Sequence, residues 1–476
     1  LIAQTSAITR TNSANEPKVT TIDLNGYTVT VKNTSDKAVI TVAEGNKLVF
    51  EGKGVIELTN DSKAPFIENT NGVVIIEEAT LTNNSTNQEA TIVDGTAVVN
   101  EGVETKGSVV SGETTSQLDY VLANGGEVTL LQNVTSDKIL DISATNPVVI
   151  NGANFTLTTT ATRAIRVTPS KANVTINDLN IVVATDRVYP NDVRGISIDP
   201  SLNGVDLTLN NCSVDFTHKT ANDWSYAVNV SGNGTDNKVT VNGGTYNGAN
   251  VVNAHGANNT IVVKNTTLTS LYPNNDTYYG ACIWVLQNQG STVYAEGNTF
   301  NGNNAAAFNL GTGTALEEKA NIDNTMYYEN GTCYVGSSEK FQKAIAEGAN
   351  NIVLGKGTFD LPSSLTQKEG TLTIKGSGND VTVLNGAMNT NGNHPGNYAH
   401  GVALEFEGLT FKTANNGYNG GFGHAVSVTF RESKIVGQFY AHSSAPHYFY
   451  DCTIDPLTGY LYTYGSDCVF EGCTFA

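Results

Sequence analysis

Aromatic and histidine side chains at a repeated spacing are the part of this sequence best suited to binding chemistry. Near the end of the chain, aromatic-x-His occurs three times, and a fourth copy has tyrosine in place of histidine. The eight residues are Tyr398 and His400, Phe422 and His424, Tyr440 and His442, and Tyr462 and Tyr464. Because the chain has only seven histidines, chance does not readily place three of them at one repeated position.

Three interpretations of this ladder stay open. Residues i and i+2 share one face of a strand, so stacked strands would align one aromatic row and one mostly histidine row. The rows could stabilise the stack, bind glycans through rings and imidazoles, or bind a metal, although three histidines in a line do not surround an ion. We take the eight residues as the candidate ligand-binding surface and predict no catalytic residue, metal or cofactor. Intervening turns leave open whether the ladder faces solvent or core.

A six-residue repeat indicates which elements would position the ladder. Its pattern is apolar, polar, turn-former, variable, usually threonine, apolar, as in Phe470-Glu471-Gly472-Cys473-Thr474-Phe475. Copies start at Phe50, Ile76, Ile176, Leu209, Val241, Val263, Ala295, Phe406, Phe430, Phe449 and Phe470. Most neighbouring copies lie about 19 to 33 residues apart, which indicates a repeat architecture. A strand, a sharp corner and a new strand in each repeat predict an all-β, right-handed parallel β-helix, a solenoid.

Two short helices divide the predicted solenoid into modules. Segments 116–124 and 339–347 each place apolar residues four apart and end near a glycine that precedes a strand. They are expected to cap the second module, 112–332, and the third, 333–476. The first module, 1–111, lacks such a helix. The chain is therefore expected to be a segment of a longer polypeptide, or to have its ends covered by partners.

Composition excludes several classes of function. Charged residues make up 15% of the 476 residues, and the formal net charge is −19, which argues against nucleic acid and anionic membrane surfaces as partners. No apolar run approaches the length of a membrane span. An acidic, turn-rich surface is consistent with an exported protein, so an extracellular, cell-surface or virion-surface location is expected.

The repeats and cap helices resemble right-handed parallel β-helix proteins of the pectin-lyase-like superfamily, in particular its surface, adhesin and phage-appendage types. The resemblance covers nearly the whole chain but concerns the fold alone. That superfamily includes polysaccharide lyases, glycoside hydrolases, phage tailspikes and bacterial surface proteins, so the resemblance leaves the function open.

The motifs of the enzymatic members are largely missing. Polygalacturonase-like members carry Asn-x-Asp, Asp-Asp, Gly-His-Gly and Arg-x-Lys; this chain has neither Asp-Asp nor Arg-x-Lys. Asn-x-Asp does occur, at 274–276 and 321–323, but asparagine is abundant. The stretch 184–226 interrupts the repeat and is the best place for an enzymatic site. Its charged and aromatic residues include Asp186, Arg187, Tyr189, Asp192, Arg194, Asp199, His218, Lys219, Asp223 and Trp224.

The sequence therefore predicts a non-enzymatic, extracellular structural or adhesive rod within a larger cell-surface or phage-appendage protein. Surface glycans or other subunits of a surface assembly are the expected partners. The alternative is a polysaccharide lyase or glycoside hydrolase on the same fold.

Overall fold

The protein is almost entirely parallel β-structure. The computed structural model describes residues 18–476 except 186–191, 218–223, 273–279, 287–289, 363–364, 366–368, 387–400, 414–421, 423–424, 442–444 and 464. Within these residues the strands stack as a parallel β-helix, and two short helices are the only α-helices. Neither helix is long and apolar enough to cross a lipid bilayer. The predicted all-β solenoid is confirmed.

The N-terminal part of the chain forms three parallel sheets, and successive strands belong to each sheet in turn. One sheet contains Lys18–Asp23, Asn46–Glu51, Val73–Ile76, Ala97–Val99 and Thr114–Ser116. The next contains Thr28–Val31, Val55–Leu58, Thr80–Asn83 and Thr105–Lys106. The last contains Ile40–Ala43, Ile67–Thr70 and Val93–Asp94.

The central part repeats this arrangement over more coils. Its front sheet contains Gly126–Thr129, Val148–Asn151, Asn173–Asn177, Asp206–Asn210, Lys238–Asn242, Thr260–Lys264, Thr292–Glu296 and Ala315–Lys319. Its side sheet contains Leu140–Ile142, Arg163–Val167, Val193–Ile198, Ser225–Val230, Asn250–His255, Ala281–Leu286 and Ala306–Leu310.

A 15-stranded long sheet joins the central and C-terminal parts. Its central strands are Val134–Ser136, Thr156–Thr159, Asn180–Val183, Ser213–Phe216, Thr245–Gly248, Thr267–Ser270, Thr299–Gly302 and Ile322–Glu329. Its later strands are Thr332–Val335, Asn351–Leu354, Gly370–Lys375, Val402–Glu407, Ser427–Arg431, His447–Tyr450 and Cys468–Glu471.

Two smaller sheets complete the C-terminal part. The larger contains Gly357–Asp360, Thr382–Asn385, Thr410–Lys412, Lys434–Val436, Thr453–Asp455 and Thr474–Phe475. The smaller pairs Phe439–Tyr440 with Leu461–Tyr462.

The six-residue repeat marks the corners of successive coils. Its first residues are Cα partners of one another, for example Leu209 with Val241 and Phe430 with Phe449. The third residue of most copies has positive φ, including Gly243 at 72° and Asp451 at 52°. Such a conformation suits glycine, asparagine and aspartate, which explains the residue types at that position.

Both predicted helices are present and pack on the core. Gln117–Asn124 begins after Ser116, whose side chain accepts a hydrogen bond from the backbone N–H of Asp119. Ser338–Ala346 begins after Ser337, which caps it in the same way through Lys340. The first helix begins one residue later than predicted because Ser116 is its N-cap. The second lies one residue earlier than the predicted 339–347 at both ends.

One hairpin departs from the parallel pattern and was not predicted. Ile322–Glu329 pairs antiparallel with Thr332–Val335, and Tyr327 stacks on Tyr334 with ring centroids 4.7 Å apart. Asn330 and Gly331 form the two-residue loop, with φ of 49° and 79°. An Asn-Gly pair with positive φ at both residues favours a tight hairpin, so the sequence did contain the signal.

Buried apolar residues form three large clusters, one in each of the three parts of the chain. The C-terminal cluster begins at Met326, and the predicted module boundaries at 111 and 332 stay predictions. Within it Phe406, Phe430, Phe449 and Phe470 stack on adjacent coils, with successive ring centroids 4.8, 5.5 and 4.8 Å apart. The first three are fully buried, whereas Phe470, on the last coil, is half-buried.

Replacing Phe430 by alanine should lower the free energy of unfolding of the C-terminal coils by about 3–5 kcal/mol, because a buried aromatic ring is lost between two others. Hydrogen exchange should show faster opening there and unchanged protection in the N-terminal sheets. Val469→Ala, at a residue that is 42% exposed, is the control and should cost less than about 0.5 kcal/mol. A Phe430→Ala protein with unchanged exchange in the last coils would show that this register is wrong.

Candidate functional site

Three residues of the predicted ladder can be placed. Phe422, Tyr440 and Tyr462 are described, whereas Tyr398, His400, His424, His442 and Tyr464 lie outside the described residues. The histidine row therefore stays a prediction.

Tyr440 and Tyr462 form an outward-facing pair on adjacent coils. They are Cα partners, and their rings stack with centroids 4.4 Å apart and planes 15° from parallel. The preceding Phe439 is buried in the core, so strand alternation directs Tyr440 outward. Tyr462 is 37% exposed, and Tyr460, 63% exposed, has its ring centroid 5.4 Å from that of Tyr462. The three rings form an aromatic patch, which we call the tyrosine patch.

Phe422 does not belong to that patch. It is fully buried, with ring centroids 5.7 Å from Phe406 and 6.0 Å from Phe411. The aromatic row therefore does not keep one face from Phe422 to Tyr462. The length of the turn before a strand decides whether a given side chain points into the core or outward. The number of residues to the corner phenylalanine therefore does not predict which of the two occurs.

The interrupting stretch 184–226 contributes to a second polar region, on the outer face of the side sheet. Asp192, Arg194 and Asp199 are described, and Trp224 is partly exposed. The positions Asp186, Arg187, Tyr189, His218, Lys219 and Asp223 lie outside the described residues.

An arginine–aspartate network begins on the first coils of that sheet. Arg166 donates two hydrogen bonds of 2.7 Å to the two carboxylate oxygens of Asp141 on the preceding coil. On the following coil, Asp199 accepts a 3.1 Å hydrogen bond from Arg163, and its other oxygen lies 3.7 Å from Arg166. Bidentate arginine–carboxylate pairs fix both partners in orientation as well as in charge.

A second set of polar contacts on the same sheet leads into buried amides. Arg194 pairs with Asp192 and donates to the Ser231 hydroxyl. That hydroxyl donates to Asn229 Oδ1 over 2.5 Å, and Asn229 Nδ2 donates to Asn253 Oδ1 over 2.5 Å. Ser231 and both asparagines are almost fully buried. Continuous pairing offsets the cost of burying these polar groups.

Aromatic side chains border the network. The His255 ring meets Trp284 edge-on at 5.9 Å, and the guanidinium of Arg194 lies 5.9 Å from the ring centre of Tyr226. Burial lowers the pKa of His255, and Arg194 lowers it further, whereas Asp192 opposes the shift. Burial therefore favours the neutral imidazole. Because Trp284 and Tyr226 are also buried, we expect this region to stabilise the side sheet.

Sequence reasoning did not single out Arg163, Arg166 or Asp141. A compositional signal was present, since four of the six arginines in the chain lie between residues 163 and 194. Their assembly depends on the register between coils of different length, which spacing alone does not give.

The two regions differ in what they offer a ligand. The arginine–aspartate network has each guanidinium paired with a carboxylate, whereas the tyrosine patch exposes ring surface and hydroxyl groups. No known family model matches the sequence, and no curated protein matches it.

Replacing Arg194 by methionine should lower the free energy of unfolding by about 1.5–3 kcal/mol, because it removes hydrogen bonds to a partly buried carboxylate and hydroxyl. Lys238→Met is the matched control: the Lys238 side chain is 52% exposed against 12% for Arg194, and its ion pair with Asp206 should contribute less than about 1 kcal/mol. Urea titration of both variants measures the difference. Equal losses would mean that the network does not brace the sheet.

Proposed function

We propose that this protein is a structural, adhesive β-helix rod of a cell-surface or phage-appendage protein, and that the tyrosine patch binds glycans. The observation that carries the proposal is the exposed, stacked pair Tyr440 and Tyr462 with Tyr460 beside it. Tyrosine rings are broad and apolar and also carry a hydroxyl, so they contact the C–H face of a sugar and hydrogen-bond its hydroxyl groups.

The scaffold suits such a surface. Strands lie about 4.8 Å apart, so a sheet of 15 strands extends roughly 70 Å. The tyrosine patch lies on the smaller, two-stranded sheet of this scaffold. The buried side chain of Phe439 anchors the strand that carries Tyr440, which reduces the entropy lost on binding. The net charge of −19 favours neutral glycans over anionic ones as the ligand.

The proposed location is outside the cell or on a virion surface. The resemblance to pectin-lyase-like surface and tailspike proteins and the acidic, sparsely charged composition support it. A polysaccharide lyase or glycoside hydrolase is the alternative that the same resemblance leaves open.

Binding should depend on the tyrosine patch. Against a panel of neutral and acidic polysaccharides in affinity gels, Tyr462→Ala should weaken retention at least about tenfold, the effect of losing a central aromatic contact. Tyr294→Ala is the matched control, because Tyr294 has nearly the same exposure, 36%, on the front sheet. Both variants should melt within a few degrees of the wild type.

Two results would contradict the proposal. Equal retention of the wild type and Tyr462→Ala would remove the tyrosine patch from binding. New reducing ends or unsaturated products in the same incubations would instead support the enzymatic alternative.

A further inference from the structure

A cavity lies where the central part of the solenoid meets the C-terminal part. Its volume is about 440 Å³, within the range of about 300–1,000 Å³ typical of small-molecule pockets. It opens because Ala315–Lys319, the last strand of the front sheet, pairs on only one side within the described chain. Residues of that strand face it from one side, and Gly355, Lys356 and Ser377 of the C-terminal part face it from the other.

Two inward-facing columns of the solenoid change from apolar to acidic at this cavity. Along the front sheet, buried Ala295 is followed on the last coil by Glu318. Along the long sheet, fully buried Phe300 is followed by Asp323. Both carboxylates therefore occupy positions that hold core residues on the preceding coil, and both line the cavity.

The two carboxylates differ in their partners. Glu318 pairs with Lys356 from the opposite wall, and the other lysine of the cavity, Lys319, pairs with Glu296 over 3.1 Å. Asp323 forms no ion pair with any described residue. Its Oδ1 accepts hydrogen bonds from the backbone N–H and the hydroxyl of Thr325, over 2.9 and 2.7 Å. Its Oδ2 accepts none from the described chain.

The position of the Asp323 carboxylate is fixed by close packing. A Cβ added to Gly336 would lie 2.2 Å from Asp323 Cγ, so only glycine allows this approach. Phe308 and Leu316 supply apolar wall beside the carboxylate, and Phe308 meets Phe300 edge-on at 4.9 Å. Burial, and to a smaller extent the nearby charge of Glu318, raise the pKa of Asp323, whereas the Thr325 donors oppose the shift.

We infer that this cavity binds a small organic cation, a protonated amine with an apolar or aromatic body, with Asp323 as its counter-ion. The ammonium group would donate to Oδ2, which lacks a donor in the described chain, and would supply the positive charge that the half-buried Asp323 carboxylate lacks. The body of the ligand would pack on Phe308 and Leu316. A neutral ligand of the same shape would leave the carboxylate uncompensated.

Benzylamine is the probe, and benzyl alcohol is its neutral comparator, both titrated calorimetrically into the intact chain near neutral pH. Benzylamine should bind at least about tenfold more tightly than benzyl alcohol, in line with the strength of a hydrogen bond to a charged group. Its affinity should rise with pH through the raised pKa of Asp323 and then level off, because only the ionised carboxylate attracts the ammonium group.

Asp323→Asn should weaken benzylamine binding at least about tenfold and leave benzyl alcohol unaffected. Asp206→Asn is the control, because the Asp206 side chain is 46% exposed on the outer face of the front sheet and does not line the cavity; this variant should bind as the wild type does. Equal binding of amine and alcohol, an Asp323→Asn variant that retains the amine, or no benzylamine binding at all would overturn the inference.

A melting experiment separates loss of binding from loss of fold. The folded-state pKa of Asp323 is raised, so ionisation of this group costs stability progressively as pH rises through that value. Asparagine keeps the Oδ1 acceptor without the charge. Asp323→Asn should therefore melt at the same temperature as the wild type or higher at neutral pH. Below about pH 4 any difference in melting temperature should disappear, because Asp323 of the wild type is then protonated in both the folded and the unfolded state.

Discussion

The in-register stacking of parallel strands is the constraint on which the whole structure depends. Each inward position must match the same position on the coils before and after it, because a shift of one residue would turn a whole strand inside out. From Phe406 to Phe470 the matched positions are phenylalanines, and each ring stacks on the ring of the next coil. Corners such as Gly243 and Asp451, with positive φ, keep each new strand in step.

This constraint explains why the fold could be read from the sequence. A corner needs a residue that tolerates the left-handed conformation, and the flanking positions need apolar side chains, so each coil carries the same short pattern. The helices at Gln117–Asn124 and Ser338–Ala346 could be predicted for a similar reason, since their caps and apolar spacing are local. The hairpin at Asn330 and Gly331 has an equally local signal, the Asn-Gly pair, but it is not part of the coil repeat.

The functional surfaces were harder to predict because they depend on register between coils of unequal length. Arg166 reaches Asp141 across 25 residues, and Arg194 reaches Ser231 across 37. Phe422 and Tyr440 occupy similar places in the sequence pattern, yet one is buried and the other faces outward. The distance in residues from one corner does not show how the length of the preceding turn changes the direction of the next side chain.

Candidate binding groups occur where inward-facing positions, apolar on the preceding coils, become charged. At Glu318 and Asp323 the columns end in carboxylates, and a cavity opens where the core would otherwise continue. Inward-pointing charges also discourage a sheet edge from pairing with another chain. Glu318 lies on the front-sheet strand that is unpaired on one side within the described residues, and Asp323 lies on the long sheet; both line the cavity. The tyrosine patch lies elsewhere, on the smaller two-stranded sheet.

Disulfide trapping on the front sheet tests the central claim, the register of the coils, most directly. Thr208 and Thr240 are outward-facing Cα partners, and adjacent parallel strands lie within the Cα separation of about 4.4–6.8 Å that a disulfide requires. A T208C/T240C protein should cross-link under mild oxidation, as judged by peptide mapping. A T175C/T240C protein, with its cysteines two coils and roughly 9.6 Å apart, should not. Cross-linking of the second pair but not the first would contradict the solenoid described above.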